Sequence, residues 1–269
     1  MMKTLIGIVA ITALAGAPAI AADMAVKAPP KVMGPVPVFS WTGFYIGING
    51  GGSISHNRTT DTFFFSPAGV VEQNETFTHS PAGGVFGGQI GYNWQFDPHW
   101  VGGVEGDWQW TGQSETNCLM SCAQAFFGAP PGNSLTDEQK LRWIATARAR
   151  FGYADGGWLW YVTGGGAWGK IDQNLNYGAG APEVFTAASF STNRGGWTVG
   201  GGVETALWNS NWSAKLEYLY VDLGTVTNSF SLGAVPEGPA IITSSSKIQD
   251  NIIRVGLNYR FGGPIVPGY

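Results

Sequence analysis

The sequence predicts an all-β chain: an eight-stranded antiparallel up-and-down transmembrane β-barrel, with short turns at one end and four long surface loops at the other. Three observations predict it. Eight segments alternate in polarity with period two, which places unlike side chains on the two faces of a strand. The connections between them run short, long, short, long. Charged residues make up only 12% of the chain, against 41 glycines and 12 tryptophans, and no stretch reaches the eighteen or more apolar residues of a spanning helix.

The elements follow in order. Residues 1–21 read as a secretory signal peptide: Lys3, then an apolar run from Leu5 to Leu14, then Ala19-Ile20-Ala21 as an A-x-A cleavage site. Its removal takes away Lys3 and no acid, so the formal charge of -4 becomes -5, and nothing in a mildly acidic chain points to nucleic acid. Residues 22–40, rich in Pro and Lys, read as an extended periplasmic linker. The barrel is assigned to 41–261 and a short tail to 262–269.

The expected strands are 43–51, 84–96, 100–110, 141–153, 158–169, 196–207, 212–223 and 251–261. Most have the nine to eleven residues, or slightly more, that a tilted strand needs to cross a bilayer. The segment 141–153 has helical propensity, yet Leu141, Trp143, Ala145, Ala147, Ala149 and Phe151 alternate with Arg142, Thr146, Arg148 and Arg150, and only Ile144 breaks the pattern. "DPH" (97–99), "ADGG" (154–157) and "WNSN" (208–211) are turn sequences. The segments 52–83, 111–140, 170–195 and 224–250 are expected as surface loops. Brief periplasmic turns with longer outer loops are the outer-membrane arrangement, and an even strand number puts both termini in the periplasm.

Which face is inside follows from what each face carries. The polar faces bring Glu105, Asp107, Arg142, Arg148, Arg150, Glu204, Lys215, Glu217, Arg254 and Arg260, and the apolar faces bring large rings. Eight strands enclose an interior just wide enough for side chains, so the rings would overfill it. Turned outward they meet lipid, and the opposite charges pair in the lumen. The expected aromatic girdles are Trp94, Trp100, Trp158, Trp160 and Trp212, with Trp41 and Trp208, at the short-turn end, and Trp108, Trp110, Trp143, Trp168 and Trp197 at the other. By this logic Leu257→Arg should resist insertion while Asn258→Arg should insert nearly as well as the parent.

Candidate chemistry is sparse. "GGGAWGKI" (164–171) resembles a phosphate-binding loop, but polar residues follow it where a helix is required, and Ile171 stands where Ser or Thr should bind magnesium. His56 and His79 bracket the first expected loop, with Ser53, Ser55, Ser80, Glu72 and Glu75 nearby, and His99 sits in a turn; solvated histidines account for all three without a hydrolase or a metal. Cys118 and Cys122 are the only cysteines and are candidates for a small disulfide loop. No catalytic, cofactor or metal residue is assigned.

The run "FSWTGFYIGINGGG" (39–52) after a Pro-rich linker, the Gly/Trp strands and the close "NIIRVGLNYRF" (251–261) together resemble the outer-membrane immunogenic protein family, small porin-like barrels of Gram-negative bacteria. The resemblance implies an outer-membrane barrel with structural or host-contact roles and no catalytic residues. It also implies the outer-membrane assembly machinery as a partner, beside outer-membrane lipid and lipopolysaccharide. Phe261 matches the aromatic that usually ends such chains, but "GGPIVPGY" follows it here. The expected function is therefore structural, with surface display. A narrow porin-like channel, a loop-borne adhesin or ligand binder, and a soluble lipocalin-like carrier are the alternatives.

Overall fold

The computed structural model describes residues 37–65, 70–120, 134–179, 184–207, 210–235, 238–261 and 266–267. The signal peptide, most of the linker, Trp208 and Cys122 lie outside the described residues, and Cys118 is described in its backbone alone. Among the described residues no helix is long and apolar enough to cross a membrane.

Ten strand segments make one antiparallel sheet. They are β1 (Gly43–Ser55), β2 (Asn57–Phe65), β3 (Val70–His79), β4 (Ala82–Gln95), β5 (Trp100–Met120), β6 (Ser134–Asp155), β7 (Trp158–Ala179), β8 (Val184–Ala206), β9 (Trp212–Val235) and β10 (Gly238–Phe261). Pairing runs β1–β4–β5–β6–β7–β8–β9–β10 and returns from β10 to β1, an eight-membered closed ring. Closure leaves no free edge in this ring. Strands β2 and β3 continue β1 and β4 beyond His56 and the Ser80-Pro81 break. Outside the ring, Pro37–Val38 pairs with Val266–Pro267.

The period-two pattern decides the wall. On β1, Tyr45, Asn49, Ser53 and Ser55 point inward and Phe44, Ile46, Ile48 and Ile54 point outward. From Phe44 to Ile54 is ten residue steps, about 34 Å along the strand and about 26 Å in height at a tilt near 40°. The outward band has the height of a hydrocarbon core.

The strands outrun their sequence-based boundaries. Strands β6 to β10 have 22 to 24 residues each, and much of what was expected as loop is paired strand. Two register lists stop early, however. Pairing between β4 and β5 ends at Val85–Thr111, and pairing between β8 and β9 ends at Asp222–Trp197. Among the described residues the barrel therefore divides, away from the short turns, into two four-stranded lobes. One is built from the upper parts of β5, β6, β7 and β8, the other from upper β9, upper β10, β2 and β3.

Polar side chains tie the lobes together. Gln139 donates to Thr59 and Ser246, each at 3.4 Å. Gln173 donates to Ser244 at 3.3 Å and accepts from Asn228 at 2.8 Å. A bulge at Leu223, where Gly224 has φ +73°, turns β9 by one residue as it enters its lobe, so that Val226 and Phe230 point inward. Only glycine takes that backbone without strain.

Candidate functional site: the filled lumen

The lumen is built in layers. At the short-turn end Phe39, Ser40 and Trp41 enter the barrel. Trp41 is fully buried with Val101, Ala154, Leu159 and Tyr161, its backbone N–H donating to Gln95 Oε1 at 2.8 Å. The Arg260 guanidinium lies 4.2 Å from the Phe39 ring centroid and 5.3 Å from that of Trp41, and donates to the Ser40 carbonyl. Trp41 thus plugs the floor instead of joining the girdle.

Above the floor the ring register sets acids directly across from bases: Glu105 opposite Arg148, Glu217 opposite Arg254 and Glu204 opposite Lys215. Opposite charges at such positions stabilise a strand pair. These six residues meet Asp107 and Arg150 at mid-barrel. Arg148 reaches Glu105 at 2.5 Å, Asp107 at 2.7 Å and Glu217 at 3.0 Å. Arg254 reaches Glu217 at 2.6 Å and Asp107 at 3.1 Å. Lys215 sits 3.0 Å from both Glu105 oxygens. Arg150 bonds Glu204 at 2.8 Å. Four acids (Glu105, Asp107, Glu204, Glu217) meet four bases (Arg148, Arg150, Lys215, Arg254), all with side chains at most 2% exposed. The cluster is neutral, which is how so many buried charges coexist: an unpaired one would cost several kcal/mol.

Two tyrosines absent from the sequence reading complete it. Tyr45 donates to Glu105 at 2.7 Å and accepts from Arg150 at 2.6 Å. Tyr161 donates to Glu217 at 3.0 Å, its ring 3.9 Å from the Arg150 guanidinium. Each ring lies over a glycine: a Cβ at Gly91 would strike the Tyr45 ring and one at Gly202 the Tyr161 ring. A glycine whose neighbour across the wall is an inward tyrosine was the available signal, but it requires the register. Gly91→Val is expected to lose about 1–3 kcal/mol through overpacking, read as a lower urea midpoint of refolded protein in vesicles. An unchanged midpoint would show that Tyr45 can lie elsewhere.

Beyond the charges lies an apolar layer of Val85, Leu141, Ile144, Ala167, Ile171, Leu219, Val221, Leu223, Val226, Ile248 and Ile252. Ile144, the residue that broke the expected alternation, belongs here. A bulge between Leu141 and Trp143 shifts the faces of β6 by one residue, so Leu141 and Ile144 both point inward and Arg142 points out. Arg142 is thus not a lumen charge; its side chain is 56% exposed and 2.7 Å from Asp172. Burial works to raise the Asp172 pKa, but hydrogen bonds from Arg142 and Ser191 outweigh it and hold the carboxyl below its ordinary value. Polar side chains sit at the same level, Ser53 opposite Ile252, Gln113 opposite Leu141 and Asp250 opposite Val221: Gln113 donates to Asp250 at 3.0 Å, and Ser55 to the same oxygen at 3.1 Å.

The outer wall carries the rings. Trp94, Trp100, Trp158, Trp160 and Trp212 are exposed toward the short turns, and Trp108, Trp110, Trp168 and Trp197 toward the lobes. Trp143 is half-buried, stacked on Trp108 with centroids 4.4 Å apart. The glycine-rich run 164–171 is an interior piece of β7. His56 and His99 are exposed, and among the described residues no group of three or more His, Cys, Asp and Glu is placed to hold a metal.

The comparisons with known proteins point to an outer-membrane β-barrel. Residues 9–261 match the family described as outer membrane protein beta-barrel domain. The chain is 39% identical over 274 residues to the 31 kDa outer-membrane immunogenic protein of Brucella melitensis biotype 1, covering 97% of this chain and 100% of the relative. It is 29% identical over 227 residues to a 22 kDa outer membrane protein of Rhizobium leguminosarum bv. viciae, covering 84% and 80%. Among solved structures, the outer membrane protein OprG from Pseudomonas aeruginosa is similar with a TM-score of 0.48 at 12% identity, covering 82% of this chain and 97% of that one. The chain belongs to the outer-membrane β-barrel domain family and is a relative of the 31 kDa outer-membrane immunogenic proteins.

Proposed function

We propose that this protein is a closed structural barrel of the outer membrane, with its lobes displayed at the cell surface and its short turns and both termini in the periplasm. It carries no catalytic site and no open pore. Its partners are outer-membrane lipid, including lipopolysaccharide, and the assembly machinery that inserts it. The observation that carries this reading is the filled lumen. A neutral lattice of eight charged side chains and an apolar layer lie in series across it. An ion would have to break the first and wet the second, and hydrophobic constrictions close pores by excluding water.

The test is conductance. Full-length protein refolded into planar bilayers at neutral pH is expected to give negligible current, while the same preparation shows a heat-shifted band on gels. Steady, large, solute-permeable channels would favour the porin reading instead. The lobes support display over a purely internal role: strands that outrun the apolar band by ten or more residues project beyond it. Extracellular protease acting on intact cells should therefore cut between 113 and 141 or between 224 and 248 and spare the wall.

A further inference from the structure

The outer face of the lobe built from β9, β10, β2 and β3 changes character just past the apolar band. Ile54 and Ile253, 52% and 60% exposed, end the continuous apolar band, and an exposed Ile241 follows only farther along β10. The same faces then carry His56 and Arg58 on one strand and Asn251, Gln249 and Lys247 on the other. Arg58 and Lys247 are direct cross-strand partners, and both are exposed. Thr78 is the partner of Arg58 on β3, and Thr225 the partner of Lys247 on β9; both are exposed too. One outward row thus reads Thr225, Lys247, Arg58, Thr78.

Like charges placed directly opposite each other destabilise a strand pair. The acid that answers them is Asp222, 3.5 Å from Lys247, and it is already bonded by Gln249 at 2.9 Å and by the Gly224 N–H at 2.8 Å. Among the side chains described, no carboxylate lies within ion-pair distance of Arg58. On the other lobe, Arg142 has Asp172 at 2.7 Å and Lys140 has Glu138 at 2.5 Å. A chain of net charge -4 therefore holds two adjacent, under-compensated cations in one row, flanked by hydroxyls. Arg58 lies four residues beyond Ile54, about 13 Å along the strand, at headgroup height.

We propose that Arg58 and Lys247, flanked by Thr78 and Thr225, bind the phosphate of a phosphorylated glycolipid headgroup in the outer leaflet. Guanidinium and ammonium donate charge-assisted bonds to phosphate oxygens, and the bound anion removes the repulsion between the two. The site rests on the reading above that the lobes face outward from the outer membrane.

The test uses full-length protein refolded into phosphatidylcholine vesicles doped with diphosphorylated lipid A, then re-isolated in mild detergent, with retained lipid measured by native mass spectrometry. The parent should retain lipid A, and the R58Q/K247Q double variant should retain at least about fivefold less. K140Q, on the other lobe, should match the parent. With dephosphorylated lipid A, parent and double variant should retain equally little. Equal retention of lipid A by parent and double variant overturns the site. Complete displacement by millimolar inorganic phosphate overturns the lipid assignment in favour of a free-anion site. The heat-shifted band is read in the same samples: its absence from the parent would overturn the membrane reading itself, whereas its presence with equal retention overturns only the site.

Discussion

Arg254→Ala is expected to cost about 3–5 kcal/mol of folding free energy in lipid, because it leaves buried carboxylates without their partner. Arg254 is fully buried, donates through Nε to Glu217 at 2.8 Å and reaches Asp107 at 3.1 Å. Arg142→Ala removes the same side chain from the other side of the wall. Arg142 is exposed beside Asp172, so its loss should cost no more than about 1 kcal/mol. Urea titration of the heat-shifted band in vesicles measures both. Equal losses would mean that the lumen lattice is no stronger than a surface pair, and the closed-barrel reading would lose its main support. The comparison also probes the β6 bulge, since without it Arg142 would point inward with Arg148 and Arg150.

Leu257→Arg is expected to cost about 2–4 kcal/mol, the penalty for a charge near the midplane on a lipid-facing strand. Leu257 is 42% exposed between Val255 and Tyr259, opposite the exposed Ile48. Thr116→Arg, exposed beyond the band and opposite Glu138, should stay within about 0.5 kcal/mol of the parent. A Leu257→Arg protein as stable as the parent would place the apolar face away from lipid. Asn258, the neighbour expected from alternation alone to accept an arginine, is no longer a neutral control. It is fully buried, donating to Glu204 at 2.8 Å and accepting from Gln89 at 2.5 Å, so Asn258→Arg should itself cost about 1–3 kcal/mol by overpacking.

The charged lumen residues were legible because alternation is a local property. Once Val255, Leu257 and Tyr259 lie on one face, Arg254 and Arg260 must lie on the other, whatever the rest of the chain does. The same logic failed where the strand itself changes phase. Nothing local in "KLRWIAT" announces the bulge that sends Arg142 out and brings Ile144 in, because a bulge is defined by the partner strand. The segments 111–120, 134–140, 170–179, 184–195 and 224–250 read as loops since they are rich in Ser, Thr, Asn, Gln and Gly. They are nonetheless largely strands, whose backbone groups pair across the sheet and whose glutamines and hydroxyls bond between lobes.

The sequence by itself determined the class of the protein: strands with one apolar face, two belts of tryptophan, charges of both signs on the polar faces and turns at one end. These follow from side-chain periodicity and solvent preference, which need only neighbouring residues. The tertiary structure alone decided that the charges form one neutral lattice, that Trp41 and Arg260 fill the floor, that an apolar layer crosses the lumen and that the upper barrel parts into two lobes. Each of these depends on register and closure, which bring residues 147 positions apart, such as Asp107 and Arg254, into one ion pair. Pairing across that distance is set by the ring as a whole, and local pattern cannot encode it.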